Sequence, residues 1–272
     1  MIDRSSAEFV EALARGLSVL EAFDAKDPEM TFADLSRKLE MSIATVRRNV
    51  LTLEALGFIR RHNKHFLLAP RILSLGSSYL NAFNIEEAIM PELQRLTSLF
   101  GDAANMAVLD GVNVLYVAHI SESRGVRRTA STGVTYPAFA TSMGRVLLAS
   151  LPQEGVERYF RDFEPIKLTD YTVTDETTLR NILADVRAKG YSITIDQLDY
   201  GITALAVPVK DSTGRIVCSI NSSGYTPRLT PDELVEQRLP ELRVAANRLS
   251  QLFSRMPSLL HSLAPLAGSF EA

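Results

Sequence analysis

The stretch Thr31 to Leu68, TFADLSRKLEMSIATVRRNVLTLEALGFIRRHNKHFLL, constrains the fold most, because within it two helical periods meet in a short turn and then give way to strand-like runs. Behind Thr31, whose hydroxyl can cap free backbone N–H groups, Phe32, Leu35 and Leu39 recur at helical spacing and form one buried stripe. Ser42 opens a second helix with Val46, Val50, Leu53 and Leu56 directed inward, and Gly57 ends it. Its outer face carries Ala44, Thr45, Arg47, Arg48 and Asn49. Phe58-Ile59-Arg60-Arg61 and His65-Phe66-Leu67-Leu68 then read as a hairpin around the polar, basic tip His62-Asn63-Lys64. A helix over 7–25, with Phe9, Leu13, Leu17, Leu20 and Phe23 along one side, precedes this set and breaks at Asp27-Pro28. The layout is a winged helix-turn-helix spanning residues 1–69.

Charge points to the partner of that unit. From Met30 to Arg71 there are eight Lys or Arg against three acids, a net of 8 − 3 = +5, in a chain whose formal charge is −3. A locally basic module in an acidic protein is the electrostatic footprint of a duplex-reading unit. A recognition helix needs short polar groups for base edges and arginines for phosphates or guanines. The candidate contacts are Thr31, Ser42, Ala44, Thr45, Arg47, Arg48, Asn49, Arg60, Arg61 and Lys64, with double-stranded operator DNA as the partner. The competing reading is a solvated helix face on an ordinary three-helix bundle.

At 272 residues the chain has room for a second domain. Pro70 suits the first turn of a linker helix over 70–84, where its missing N–H costs nothing. Ile72, Leu75, Tyr79 and Leu80, with Leu73, Gly76 and Phe83, make that helix apolar enough to need cover. A second subunit, which a two-fold DNA site requires, or the chain's own second domain would supply it. From 85 to 256 helix and strand signals mix. A helix is expected over Glu86 to Phe100, a hairpin around Asp110-Gly111, and strands at Tyr191–Ile195, Ala204–Val209 and Arg215–Asn221. Further helices are expected at Ser142–Leu151, Glu176–Lys189 and Pro231–Arg255. The last opens on a Thr230/Glu233 capping box and is kinked by Pro240. Hairpins with segregated helices describe an α+β fold with an antiparallel sheet. Residues 257–272 read as a C-terminal tail.

Little in the chain supports catalysis. Two of the four histidines belong to the wing, and no metal-ligand spacing, Gly-rich phosphate loop or Gly-x-Ser-x-Gly elbow occurs. Asp196 and Asp199 read as loop carboxylates rather than an acid/base pair. Cys218, the single cysteine, lies in an apolar alternating run and reads as a buried, inert thiol. No catalytic residue, metal or cofactor is expected. The early residues Asp3, Arg4, Glu8 and Glu11 interrupt any apolar stretch, so neither a signal peptide nor a membrane span is expected, and a cytoplasmic location follows.

Several runs carry a specific resemblance. Leu13-Ala14-Arg15-Gly16-Leu17, Ser42-Ile43-Ala44-Thr45-Val46-Arg47-Arg48 and Leu53-Glu54-Ala55-Leu56-Gly57-Phe58 are similar to the IclR family of bacterial transcriptional regulators. Ala140-Thr141-Ser142-Met143-Gly144-Arg145, Val186 to Tyr191 and Ala206-Val207-Pro208-Val209 resemble its PcaR/PcaU/PobR branch, whose members regulate aromatic-acid degradation through the β-ketoadipate pathway. The resemblance implies a winged helix domain, a linker helix, a GAF-like effector-binding domain, and homodimers that pair into tetramers. It implies a small carboxylate effector of the protocatechuate or 4-hydroxybenzoate type, held by Arg128, Ser142, Met143, Thr194, Ala204, Asn221 and Ser223. Such an acid wants a helix N-terminus, hydroxyl or amide donors, a guanidinium, and apolar walls. Ile195-Asp196-Gln197-Leu198-Asp199-Tyr200-Gly201 departs from the branch's Asp-Gln-Glu-Leu-Glu run, which bears on effector identity. The alternatives are a repressor answering to a non-aromatic keto or hydroxy acid, and a metabolite-binding protein or enzyme with an accessory helical domain.

Overall fold

A computed structural model describes residues 6–122, 130–161 and 163–264. The chain divides into two compact units, Met1–Ala82 and Phe83–Ala272.

In the first unit, helices α1 (Glu11–Glu21), α2 (Phe32–Lys38) and α3 (Ile43–Ala55) precede a hairpin of β1 (Ile59–His62) and β2 (His65–Leu68). The hairpin register pairs Ile59 with Leu68 and His62 with His65, leaving Asn63-Lys64 as a two-residue turn with Asn63 at φ +57°. Val19, Leu35, Val46, Val50, Ile59 and Phe66 share one core, and Phe32 lies against the Phe66 ring at 4.5 Å. Gly57, at φ +80°, turns the chain from α3 into the wing as the sequence requires. The expected inner stripe of α1 is only half right. Leu20 and Phe23 touch the core, but Leu13 is 63% exposed and Leu17 49%, and Val19 and Ala22 are buried instead. Leu56 likewise stays outside.

After Phe58 the N–H of Ala69 closes onto its carbonyl, a 3₁₀ turn covers Pro70–Ile72, and α4 runs Leu73–Ala82. Leu73 and Leu75 are exposed, and α4 buries no residue within this unit.

Thr31 and Asp34 form a reciprocal capping box on α2. Replacing Thr31 by alanine leaves the Asp34 N–H without its acceptor and is expected to lower the unfolding free energy of this unit by about 1 kcal/mol in urea. An unchanged midpoint would show that the cap contributes nothing.

The second unit begins with α5 (Ile85–Ala88) and α6 (Met90–Phe100), a pair where one helix is expected. The interruption falls at Ile89-Met90-Pro91, with Pro91 inside the first turn of α6. Next come β3 (Ala103–Asp110), β4 (Asn113–Ser121), β5 (Thr135–Pro137), a 3₁₀ turn at Ala138–Ala140, α7 (Ser142–Ser150), α8 (Gln153–Arg161) and α9 (Glu176–Lys189). Strands β6 (Ser192–Ile195), β7 (Ile202–Lys210) and β8 (Ile216–Tyr225) follow, then α10 (Pro231–Glu233), α11 (Leu239–Ser254) and α12 (Pro257–Leu263). The antiparallel sheet has the order β5-β4-β3-β8-β7-β6. Gly111 at φ +54° makes the β3–β4 turn.

Side-chain alternation separates the two faces of this sheet. Ala107, Leu109 and Ala206 join Met143, Val146, Leu147, Tyr159, Phe160, Leu179 and Leu183 in a core that α7, α8 and α9 complete on one face. Ser222 points the other way, where Arg238, just before α11, donates to its hydroxyl at 2.8 Å and to Asp102 at 2.5 Å. Between α10 and α11 a π turn occupies Leu234–Arg238, and the N–H of Leu239 reaches the Leu234 carbonyl. The break expected at Pro240 is therefore absorbed just ahead of it. Proline has no N–H for the Glu236 carbonyl and its ring would meet that oxygen, so the widened turn removes the conflict.

Residues 257–263, expected as tail, form α12, and its Leu259 and Leu263 are buried. Cys218 is fully buried, and burial pushes its thiol well above the ordinary range.

Candidate nucleic-acid interface and effector site

Helix α3 presents the basic face. Ser42 caps it by accepting from the Thr45 N–H, and the Ser42 and Thr45 hydroxyls lie 2.9 Å apart. Ala44, Arg47 and Arg48 are exposed beside them. The guanidinium of Arg47 lies over the Phe32 ring, 5.6 Å from its centroid, which pre-orders it without consuming its donors. Arg48, Arg60 and Lys64 are exposed and carry no ion pair among the described residues. Arg61 differs, because it is paired with Glu54 at 2.9 Å and stacked on Phe66.

Three further basic residues of the +5 segment are also engaged. Lys38 bridges Asp24 and Asp27, Arg37 lies 3.5 Å from Asp34, and Arg71 stacks on Phe58. The bond from Lys38 holds the Asp24 carboxyl down at about 2. The cationic surface is thus concentrated on α3 and the wing.

Two of the expected contacts take other roles. The Thr31 hydroxyl donates to Asp34 at 2.6 Å and accepts from its N–H, so the capping box occupies it. Asn49 is half-buried, turns its amide back to the Thr45 carbonyl at 3.0 Å and lies beside Gly16 of α1. The i−4 bond and the neighbouring helix hold it away from the outer face.

In the second unit the strand register brings four of the seven expected effector residues into two adjacent rows. Thr194, Ala204 and Ser223 are successive cross-strand partners, with Ala103 next in line. One step along, Ser192, Ala206, Asn221, Asn105 and His119 form the second row. Both rows face α7, whose first residues are Ser142 and Met143. Thr194, Ala204, Asn221, Ser142 and Met143 are buried and Ser223 is partly so. Arg128 lies outside the described residues.

Helix α7 reaches this position because Gly144 has no side chain. A Cβ there would stand 2.1 Å from the Ala138 carbonyl oxygen, so the helix and the preceding 3₁₀ turn meet backbone to backbone. Thr141 caps α7 by accepting from the Gly144 N–H at 2.9 Å.

The site offers donors and a positive potential. Ser142 and Ser192 are buried, and neither hydroxyl has a hydrogen-bond partner among the described residues. An unpaired buried hydroxyl costs about 1–3 kcal/mol, so a ligand that meets it regains that energy. Arg145, one turn along α7, is 4% exposed and donates to the Phe139 carbonyl at 2.8 Å and the Gln197 side chain at 2.7 Å. Burial lowers its pKa to about 10, which leaves it charged at neutral pH, and its acceptors among the described residues are neutral. Arg145, Asn105, His119 and Ser192 were not singled out from the sequence. The polar Asn105 inside the apolar run Ala103–Leu109 was the available signal.

Asp196 and Asp199 show no sign of an acid/base pair. Asp196, at φ +52°, accepts from the Gly201 N–H at 2.5 Å and the Thr226 hydroxyl at 2.8 Å, which shapes the β6–β7 turn. No group of histidines, cysteines and carboxylates among the described residues could hold a metal ion, and no described helix is long and apolar enough to cross a membrane.

Comparison with known proteins covers both units. A family model described as the bacterial transcriptional regulator IclR C-terminal domain matches residues 77–251, and one described as the IclR helix-turn-helix domain matches residues 12–63. The Pca regulon regulatory protein of Pseudomonas putida is 34% identical over 248 residues, covering 90% of this chain and 85% of that protein. The crystal structure of an IclR homologue from Microbacterium hydrocarbonoxydans complexed with 4-hydroxybenzoate matches with a TM-score of 0.71 at 25% identity, covering 90% of this chain and 99% of that one. The inducer-binding domain of a PobR transcription factor double mutant from Acinetobacter, in complex with 3-hydroxybenzoic acid, matches with a TM-score of 0.56 at 32% identity, over 59% of this chain and 94% of that one.

Proposed function

The chain belongs to the IclR family of bacterial transcriptional regulators, and from that membership we propose that it grips operator DNA under the control of a small aromatic acid bound beneath α7. The observation that carries the effector reading is the buried, unpartnered Ser142 hydroxyl in the first turn of α7. The positive end of the helix dipole lies there, and the buried Arg145 cation stands three residues on along α7. A carboxylate satisfies all three. Met143 and Ala204 supply apolar walls for a ring, and Thr194, Asn221 and Ser223 supply polar groups at its edge. The 4-hydroxybenzoate held by the Microbacterium homologue supports an aromatic acid of that size.

On the DNA side, Ser42, Ala44 and Thr45 lie at the start of α3, where base edges are read. Arg47, Arg48, Arg60 and Lys64 supply phosphate contacts from helix and wing. Two copies of the chain engage a two-fold site, in the cytoplasm where the DNA lies. The acid changes DNA affinity because it binds one arrangement of the subunits more tightly than another.

Thermal unfolding of the full chain with a panel of acids tests the effector reading. A ligand at about one hundred times its Kd adds roughly 2.7 kcal/mol to the unit that binds it, which is a rise of several degrees in Tm. 4-Hydroxybenzoate or protocatechuate is expected to give that rise and to change operator binding. If only keto or hydroxy acids without a ring do so, the aromatic assignment is wrong; if no acid does, the site is not an acid site.

A further inference from the structure

We infer that His119 and Asn105 set the direction of the Asn221 carboxamide, so that the effector site meets its ligand with N–H donors and selects a carboxylate over the matching neutral carboxamide. The inference rests on the effector reading above and adds two residues that act through a third.

The three side chains lie in one row across three strands, Asn105 opposite Asn221 on one side and His119 on the other. His119 Nδ1 is 2.6 Å from Asn105 Oδ1, and Asn105 Nδ2 donates to Asn221 Oδ1 at 2.7 Å. A carboxamide oxygen only accepts, so His119 carries a proton on Nδ1 in this arrangement. The direction then propagates. Asn105 presents its oxygen to the imidazole and its NH₂ to Asn221, and Asn221 must present its oxygen to Asn105. What remains of Asn221 is its NH₂, which bonds to no described residue although the residue as a whole is buried.

Asn105 and Asn221 are 2% and 3% exposed, so neither amide can settle its orientation with bulk water. Each bond in such a chain polarises the next, and an anion accepting from Asn221 strengthens the whole row. A neutral carboxamide ligand has a single oxygen to offer the Asn221 NH₂ and the α7 donors together, so its own NH₂ must meet one of them, and two donors facing each other in a buried place are rejected strongly. With the Arg145 cation and the α7 N-terminus nearby, the preference for the acid reinforces itself.

Two substitutions separate this direction-setting role from simple packing. In Asn105→Asp the carboxylate accepts from both neighbours, so Asn221 turns its NH₂ toward residue 105 and its oxygen toward the ligand. In His119→Phe the imidazole proton is lost without adding charge, and the Asn105–Asn221 pair no longer has a fixed sense. The measurement is the ratio of affinities for 4-hydroxybenzoate and 4-hydroxybenzamide, by calorimetry on the full chain. The parent protein is expected to favour the acid by roughly a hundredfold, the worth of two charge-assisted hydrogen bonds discounted for solvation. His119→Phe is expected to narrow that ratio to about tenfold or less, and Asn105→Asp to abolish or invert it.

Loss of packing alone would weaken both ligands alike and leave the ratio near its parent value, and that result in His119→Phe overturns the inference even if Asn105→Asp fails to fold. If the parent chain binds neither ligand but does bind another acid, the same ratio is read on that acid and its amide. If the parent binds no acid at all, the effector reading falls and takes this one with it, an outcome distinct from a bound acid whose ratio does not move.

Discussion

Alanine at Gly144 is expected to lower the urea midpoint of the C-terminal unit by roughly 1–2 M. The added Cβ would lie 2.1 Å from the Ala138 carbonyl oxygen, 2.5 Å from its Cα and 2.6 Å from its carbonyl carbon. All three are backbone atoms of the 3₁₀ turn, so no side chain can swing aside. Overpacking a filled core usually costs about 1–3 kcal/mol, and a clash with backbone on both sides belongs at the upper end or beyond. An m-value of about 2 kcal/mol/M converts that cost into the stated midpoint shift. Helix α7 relieves the clash only by retreating from the Ala138–Ala140 turn, and its first residue Ser142 retreats with it. The variant is therefore also expected to lose most of its thermal stabilisation by aromatic acid. Circular dichroism followed through urea checks the first effect; a midpoint within about 0.3 M of the parent would mean that the close approach of helix and turn is not needed.

The second large effect is expected from removing Arg48 and Arg60 together, which should weaken binding to operator and to random duplex alike by about thirtyfold at 0.15 M salt. Both guanidiniums are exposed and free of acidic partners among the described residues, one on α3 and one on β1. Each phosphate contact contributes about −0.9 to the slope of log K against log salt, so two lost contacts flatten it by about 1.8 units; extrapolated to 1 M, that slope gives the stated loss. Arg61→Ala is expected to change affinity little, since Glu54 already holds that cation. Thr45→Ala provides the contrast, with a changed preference among operator variants and a nearly unchanged salt slope. Titrations at several salt concentrations distinguish these cases. An unaltered slope in the Arg48/Arg60 variant would place the duplex elsewhere on the protein.

The fold was legible where local chemistry and burial agree. The Thr31 cap, the Thr230/Glu233 box, the Asp110-Gly111 turn and the span Glu176–Lys189 all stand where their sequences put them. Strand β5 escaped notice because three residues, Thr-Tyr-Pro, carry no period. Helix α8 was missed although Val156, Tyr159 and Phe160 mark an inner stripe behind Pro152. On α1 the larger side chains suggested the wrong buried face, since periodicity reports that a stripe exists and not which neighbour covers it.

At the site, motif alignment named residues that the register does bring into adjacent rows, but it passed over their partners. Asn105 and His119 matter through what they do to Asn221, and although the polar Asn105 stands out in its apolar run, a relation between three strands cannot be read from any one of them. The free or neutralised state of each arginine was equally hidden, because it depends on acids such as Asp24 and Glu54 that fold back onto the basic segment.

The π turn at Leu234–Arg238 gives the end of the chain an unusual intolerance to changes in length. Five residues there do the work of roughly one ordinary turn, and each residue of an α-helix accounts for about 100° of rotation. Excising a single residue would therefore spare the composition of α11 yet roll it about its axis, carrying Leu242, Leu249 and Phe253 away from the sheet and Arg238 away from Asp102. The surplus residue acts as a phase-setting spacer, which allows substitutions along this stretch far more readily than insertions or deletions.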